Sequence, residues 1–450
     1  MDTTHFRDRT PGRPSHVLNR RQLLGGIAGL GAVAAAAGHV HTAEAAAVRT
    51  RARVVIVGAG AAGIAAANRL NRLLDGATIT LIDARREHWY QPGFTLVATG
   101  VWPQQKLVDD NARYIPSGVN WVQSMVAEYD PDANRVVTDD GQIIDYDYLV
   151  IATGLSLDYD RIEGMSADLI GQHGIASVYA SPAAAAASWQ VFSEFAERGG
   201  TGLFTRPPGA IKCAGAPVKT ALLNEHRLRQ RGGRDRARLH YTIPATGMFS
   251  QPEIDQFLKT EFPRRGIEVE QHHRLLRIDA PRREATFATP DGERTLAYDV
   301  IHVVPTMSAP ASLAASPLPW QEGEHAIGHW LEVDMYTLQH RRYPNIFGTG
   351  DINGVPMGKT AASVKAQVPV AVANLTAMIA DREMTMAYDG YTSCPLITEV
   401  GRAILVEFDY EAKMVPSFPF IDPYTEHWVP WVMKDRFLQA AYNAMLRGRV

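Results

Sequence analysis

Arg53-Val54-Val55-Ile56-Val57-Gly58-Ala59-Gly60-Ala61-Ala62-Gly63 is the stretch that decides how this chain folds. Its unbroken run of β-branched residues predicts a strand covered on both faces, as in a parallel sheet. The glycines then lead into a helix from Ile64 to Leu74. Gly58, Gly60 and Gly63 are spaced for a tight turn, for close approach of backbone to a pyrophosphate, and for close packing of helix on strand. The following strand, Thr78-Ile79-Thr80-Leu81-Ile82, ends in Asp83, twenty residues after Gly63, where an acid accepts hydrogen bonds from an adenosine ribose. The stretch therefore reads as a dinucleotide site opening on the N-terminus of a helix.

Two later segments specify the dinucleotide. Tyr148-Leu149-Val150-Ile151-Ala152-Thr153-Gly154 is an apolar strand ending in an Ala-Thr-Gly turn that resembles the FAD-dependent pyridine-nucleotide-disulfide reductases. Asn345-Ile346-Phe347-Gly348-Thr349-Gly350-Asp351 is another strand, whose terminal Asp351 is expected at the ribityl chain of a flavin. Lys359-Thr360-Ala361-Ala362-Ser363-Val364 begins a helix whose positive end faces the N1/C2=O side of that flavin. The expected fold is α/β, with two Rossmann-like (glutathione-reductase-like) domains and a C-terminal interface segment. The FAD-binding domain takes 51–165 and 325–385, the second domain 166–324, and the C-terminal region 386–450.

In the second domain a strand at Gly202-Leu203-Phe204-Thr205 precedes Arg206-Pro207-Pro208-Gly209-Ala210-Ile211-Lys212-Cys213, where a second glycine turn belongs. Two prolines and bulky side chains cannot cradle a pyrophosphate, so this domain is expected to keep the nucleotide-binding shape without NAD(P)H. Cys213 then takes the side of the flavin that nicotinamide would use. Pro217 suits the first turn of a helix, and Lys212 and Lys219 flank the thiol with positive charge that favours thiolate. These residues alone leave a reactive and an inert buried cysteine equally open.

The chain has 450 residues, with 45 Lys plus Arg against 48 Asp plus Glu, a net charge of −3. That balance points away from nucleic acid. Two cysteines, Cys213 and Cys394, make no disulfide framework, and the histidines show no metal-ligand spacing. Residues 1–47 read as a twin-arginine signal peptide, from Arg20-Arg21, the weakly apolar run Leu23 to Gly38 and the small residues Ala43-Glu44-Ala45. An alanine-rich tail is the alternative. The signal reading implies a periplasmic protein exported after folding around its cofactor and bound peripherally to the membrane.

Towards the C-terminus, Tyr388 to Pro395 places Cys394 in a turn-rich loop, and Glu399 to Tyr410 forms a strand pair. Trp428, Trp431, Met433, Phe437, Leu438, Tyr442 and Met445 coat much of one side of a short helical segment, and Lys434, Arg436, Arg447 and Arg449 are set to meet anionic headgroups. Phe420, in the tail ahead of it, joins Trp428, Trp431, Met433 and Phe437 as the expected quinone and membrane residues. The competing reading packs this segment on its own domain or on a dimer partner.

Lys212-Cys213-Ala214-Gly215-Ala216-Pro217, Gln339 to Asn345, Tyr388 to Leu396 and Glu407-Phe408-Asp409-Tyr410 together resemble the sulfide:quinone oxidoreductases, in particular their mitochondrial-type, two-cysteine branch. The resemblance runs from Arg53 nearly to the C-terminus. It implies that Cys213 and Cys394 are the redox pair and that Ala61, Ala62, Asp83, Gln91, Val126, Asp351 and Ala361 to Val364 contact FAD. It implies sulfide, a second sulfur acceptor, ubiquinone or a related quinone, and the membrane surface as partners, and it is compatible with a homo-oligomer. Rival readings are the flavoprotein subunit of a flavocytochrome sulfide dehydrogenase, a type II NADH dehydrogenase, disfavoured by the missing second glycine turn, and a non-catalytic sulfane-sulfur sensor.

Overall fold

The computed structural model describes residues 47–450; the signal-peptide reading of residues 1–47 falls outside them except for Ala47. The first layer is a parallel sheet. Its central strand β1 (Arg53–Val57) lies between β2 (Thr78–Ile82) and β4 (Tyr148–Ile151), with β3 (Val119–Val122) beyond β2 and a late strand, Ile346–Gly348, beyond β4. Helix α1 (Ala61–Leu73) follows β1 at once, because Gly58 and Gly63 let backbone meet backbone. A Cβ on Gly63 would fall 1.8 Å from Gly58 O, and one on Gly58 2.4 Å from Ala152 O, so neither position admits a side chain.

A second parallel sheet has the same character. Its strands run β5 (Ile175–Ala176), β9 (Val300–His302), β6 (Gly200–Thr205), β7 (Ala237–Thr242) and β8 (Ile267–Glu270), in that spatial order. Helices α2 (Pro182–Arg198), α3 (Ala216–Gln230) and α4 (Pro252–Arg264) accompany it. The α/β expectation with two Rossmann-like sheets stands. The chain then returns to the first sheet as β10 (Ile346–Gly348) and continues into α5 (Ala361–Ile379), which packs on α1. Helix α5 is long and apolar enough to cross a membrane, but 56% of that stretch is buried inside the protein, as in a core helix.

Two expectations are corrected near the C-terminus. Cys394 lies within strand β11 (Thr392–Glu399), opposite Val406 of β12 (Arg402–Phe408), and the antiparallel pair is 392–408 instead of 399–410. The turn residues Asp389, Gly390 and Pro395 masked the alternation that buries Thr392, Cys394 and Leu396. Pro395 is tolerated because each strand of a two-stranded sheet has an open edge. After β12 come α6 (Trp428–Val432), a π-helical turn (Met433–Phe437) and α7 (Leu438–Leu446).

Candidate active site

A cavity of about 760 Å3 runs from the glycine turn to the cysteine pair. Gly58, Gly60, Ala61, Ala62, Asp83, Gln91, Gly154, Asp351, Lys359, Ala361, Ala362 and Val364 line it, with Cys213 and Cys394. Gly63 and Ser363 stand just behind, Ser363 fully buried. Val126 is buried on the strand Val126–Asp130 and does not line the cavity. At the turn, Asp83 accepts Ala59 N–H at 2.6 Å and Arg85 N–H at 2.8 Å, so its carboxylate braces the loop that faces the opening.

The cysteines are positioned by opposite means. Cys213 sits in the loop ahead of α3 with φ of +47°, a left-handed conformation that costs a residue with a Cβ about 1 kcal/mol or more. Its neighbours hold it there: Cys213 N–H donates to Lys359 O at 2.9 Å, and Cys213 O accepts Ala216 N–H at 2.7 Å and the Tyr179 hydroxyl at 3.3 Å. Cys394 is delivered by a strand. The two sulfurs share one cation, with Lys219 Nζ 3.2 Å from Cys213 Sγ and 3.5 Å from Cys394 Sγ. Gly215 keeps this junction open, since a Cβ there would lie 2.7 Å from Cys394 Sγ.

The electrostatics divide the pair. The Cys394 thiol as hydrogen-bond donor, with Lys219 beside it, holds Cys213 well below the ordinary thiol range against the cost of burial. Hydrogen bonding to Cys213 and burial push Cys394 well above that range. Burial works against the charge of Lys219, yet the two sulfurs outweigh it and keep the amine protonated. A thiolate, a thiol and an ammonium thus form one buried unit.

Further lysines surround it. Lys212 Nζ donates to Gln91 Oε1 at 2.7 Å, and burial lowers its pKa to about 8. Lys359 Nζ donates to Asp351 O at 2.6 Å and Asn353 O at 3.0 Å and lies 3.6 Å from the centre of the Trp330 ring; burial lowers its pKa to about 7. Lys434 is a correction. Its expected place was at a headgroup surface, but it is 4% exposed, donates to Pro92 O at 2.6 Å and lines the cavity, and burial, with Lys219 nearby, lowers its pKa to about 7.

The other C-terminal residues separate into two sets. Phe420, Trp428 and Phe437 are 67%, 41% and 53% exposed. Trp431 is buried, so it is not part of that surface, while Met433, Leu438, Tyr442 and Met445 line the cavity. Tyr391, Glu407, Thr153 and Thr349 also line it and were not singled out from sequence. Among the described residues, one group has metal-ligand proximity, His240 with Glu268 and Glu270 on the second sheet; Arg294 already meets Glu270, and the group is outside the cavity.

Residues 52–185 match the family model described as pyridine nucleotide-disulphide oxidoreductase. The chain is 36% identical over 394 residues to the mitochondrial sulfide:quinone oxidoreductase of Dictyostelium discoideum, covering 86% of this chain and 84% of that one. It is 37% identical over 392 residues to the mitochondrial enzyme of the same name from Mus musculus, covering 86% and 85%.

The chain belongs to the sulfide:quinone oxidoreductase family.

The fold agrees with that membership. The X-ray structure of the sulfide:quinone oxidoreductase from Aquifex aeolicus superposes with a TM-score of 0.73 at 21% identity, covering 88% of this chain and 92% of that one. The periplasmic location expected from the first residues is overturned, because the sulfide:quinone oxidoreductases it matches at 31% identity or more are named mitochondrial. A short Gly/Ala-rich run with paired arginines is a compositional signal, and composition alone does not identify the compartment.

The cofactor is FAD, as in the family to which the chain belongs, and the cavity fits it. Thr153 Oγ1 and Thr349 Oγ1 are buried polar atoms without a partner among the described residues, and both residues line the cavity where a polar ligand would satisfy them. A Cβ on Gly60 would meet nothing within 4 Å, so the turn opens towards free space.

Proposed function

We propose that the protein oxidises sulfide to sulfane sulfur at Cys213 and Cys394 and passes two electrons through FAD to a quinone. The observation that carries this reading is the single ammonium, Lys219, shared by both sulfurs inside the cavity that reaches the glycine turn. We assign the FAD-binding domain to 51–165 with 325–385, the second Rossmann-like domain to 166–324, and the quinone and membrane region to 386–450.

In the oxidised protein Cys213 and Cys394 are linked, directly or through an added sulfur. Hydrosulfide attacks on the Cys394 side. The S–S bond breaks, Cys394 keeps the incoming sulfur as a persulfide, and Cys213 leaves as thiolate. Lys219 stabilises that thiolate by a charge-assisted hydrogen bond, and a thiol of lowered pKa leaves faster. A second sulfur nucleophile then takes the outer sulfur from Cys394. Rejoining Cys213 to Cys394 gives up two electrons, so one sulfur departs on the acceptor for each electron pair. Bound FAD supplies the acceptor for that pair and afterwards the donor to the quinone.

For the cofactor we propose Gly58, Gly60, Ala61 and Ala62 at the pyrophosphate, Asp83 at the ribose, Gln91, Gly154 and Asp351 along the chain, and Lys359 with the start of α5 at the ring. Met433, Leu438, Tyr442 and Met445 offer an apolar approach for the quinone. For contact with the membrane surface we propose Phe420, Trp428 and Phe437, whose exposure supports that reading.

The test is anaerobic. Sulfide, and not NADH, bleaches the flavin absorbance, and a short-chain quinone restores it. Bleaching by NADH, or failure of the quinone to restore the colour, would overturn the proposal.

A further inference from the structure

At the far end of α1 lies an open pocket of about 570 Å3 that shares no lining residue with the cysteine cavity. Asn68, Arg72, Arg113, Tyr114, Arg447 and Arg449 surround it. Three stretches distant in sequence meet here: the last turn of α1, the loop at 113–116, and the residues that follow α7.

Arg72 and Arg447 are oriented without meeting a carboxylate side chain. Arg72 donates Nη1 to Arg447 O at 3.0 Å and Nη2 to Gly448 O at 2.6 Å. Arg447 donates to Asn443 O at 3.1 Å and lies over the Tyr114 ring, 4.6 Å from its centre. Arg69, just behind, donates to Val450 O at 2.8 Å, and its pKa is lowered by burial and then by Arg72. Arg113 meets a carboxylate, Asp109, at 2.7 Å, and Asp109 also accepts the Tyr114 hydroxyl. Among the described residues no Asp or Glu side chain pairs with Arg72, Arg447 or Arg449, whereas Arg69 meets the oxygen of the last residue, Val450. Backbone carbonyls and an aromatic face aim a guanidinium without cancelling its charge. Each guanidinium has five donors, and those facing the pocket are only partly used.

Several uncompensated guanidiniums converging on one concavity suit a tetrahedral oxyanion held by paired N–H donors. We propose that this pocket binds a phosphate group, either the headgroup phosphate of an anionic lipid or a free phosphate. Helix α7 joins the pocket to the exposed Trp428 and Phe437 region, and its nine residues span about 14 Å. A headgroup is therefore within reach of the surface assigned above to the membrane. The lipid source rests on that assignment; the phosphate site does not.

The experiment compares the FAD-loaded protein with Arg447→Gln/Arg449→Gln and, separately, with Arg72→Gln, each checked for unchanged flavin absorbance. Calorimetric titration with inorganic phosphate should show binding that either change weakens about tenfold or more. Flotation with phosphatidylcholine vesicles, with and without one-fifth phosphatidic acid, identifies the source. A preference for the anionic vesicles that the substitutions abolish, with binding to neutral vesicles retained, identifies the headgroup. Phosphate binding without vesicle preference identifies a free phosphate and leaves the site standing. Loss of all vesicle binding in Trp428→Gln/Phe437→Gln with phosphate binding intact separates the apolar contact from the site. If the original protein and both arginine variants respond alike to phosphate and to anionic vesicles, the pocket is not a phosphate site.

Discussion

Lys219, in the first turn of α3, stands six residues beyond Cys213, yet its Nζ is 3.2 Å from the Cys213 sulfur, because the left-handed turn at Cys213 folds the thiol back over the first residues of α3. The same ammonium reaches Cys394, 175 positions along the chain. The pair therefore shares a cation that belongs neither to the loop of Cys213 nor to the strand of Cys394.

Replacing Lys219 with Met removes the cation and leaves the Cys213 thiolate with the Cys394 thiol as its hydrogen-bond donor. The pH midpoint for alkylation of Cys213 in the reduced protein should rise towards the ordinary thiol value of about 8.5. Flavin reduction by sulfide should slow about tenfold or more at neutral pH. An unchanged midpoint would mean that Cys394 alone depresses the Cys213 pKa.

Cys213→Ser should abolish flavin reduction by sulfide while keeping FAD bound, since serine cannot leave as a thiolate. Cys394→Ser should abolish turnover as well. Rapid-mixing absorbance distinguishes these losses from loss of cofactor.

Burial holds Lys434 at about pH 7 against 10.5 for the free side chain. A base with its folded pKa depressed binds fewer protons folded than unfolded between those values. Stability then rises with pH through that window and falls as pH drops towards 7. In Lys434→Met the rise in thermal midpoint between pH 7 and pH 9 should be smaller than in the original protein.

Arg265 is 4% exposed at its side chain and joins Glu225 of α3 at 3.3 Å, Thr398 O of β11 at 3.0 Å and Glu426 before α6 at 3.3 Å, with Glu261 beside it. It ties the helix that carries Lys219 to the strand that carries Cys394. Arg265→Met should cost about 1–3 kcal/mol, because it removes the hydrogen bonds to Glu225, Glu426 and Thr398 O while Arg229 still meets Glu225 and Arg264 still meets Glu261. Arg265→Lys should cost less, restoring charge without the planar fork. Urea unfolding followed by flavin release measures both.

Gly63→Ala should prevent FAD loading or folding, since its Cβ would press on Gly58 O at 1.8 Å. Gly60→Ala meets no protein atom, so it should fold and lose affinity for FAD alone, visible as a higher apo fraction after dilution.

Local pattern made much of the fold legible. An apolar strand, a glycine turn, a helix and an acid at the end of the next strand lie within 53–83, and each is a preference of neighbouring residues. The absence of a second glycine turn was readable for the same reason, as was the basic flank of Cys213. What lay beyond reach was pairing across the chain. Cys394 looked like a loop residue because Gly390 and Pro395 flank it, and only the pairing with Val406 makes it a strand.

Lys434 and Trp431 looked like surface residues of an amphipathic stretch, yet a π-helical turn follows α6, and the packing leaves both buried. By itself, the sequence determined the two nucleotide-type sheets, because those depend on spacing along the backbone, while the flavin and the cysteine pair were implied by the resemblance of its motifs to known families. Only the tertiary structure decided that one buried ammonium serves both sulfurs, since charge acts through space and burial strengthens it.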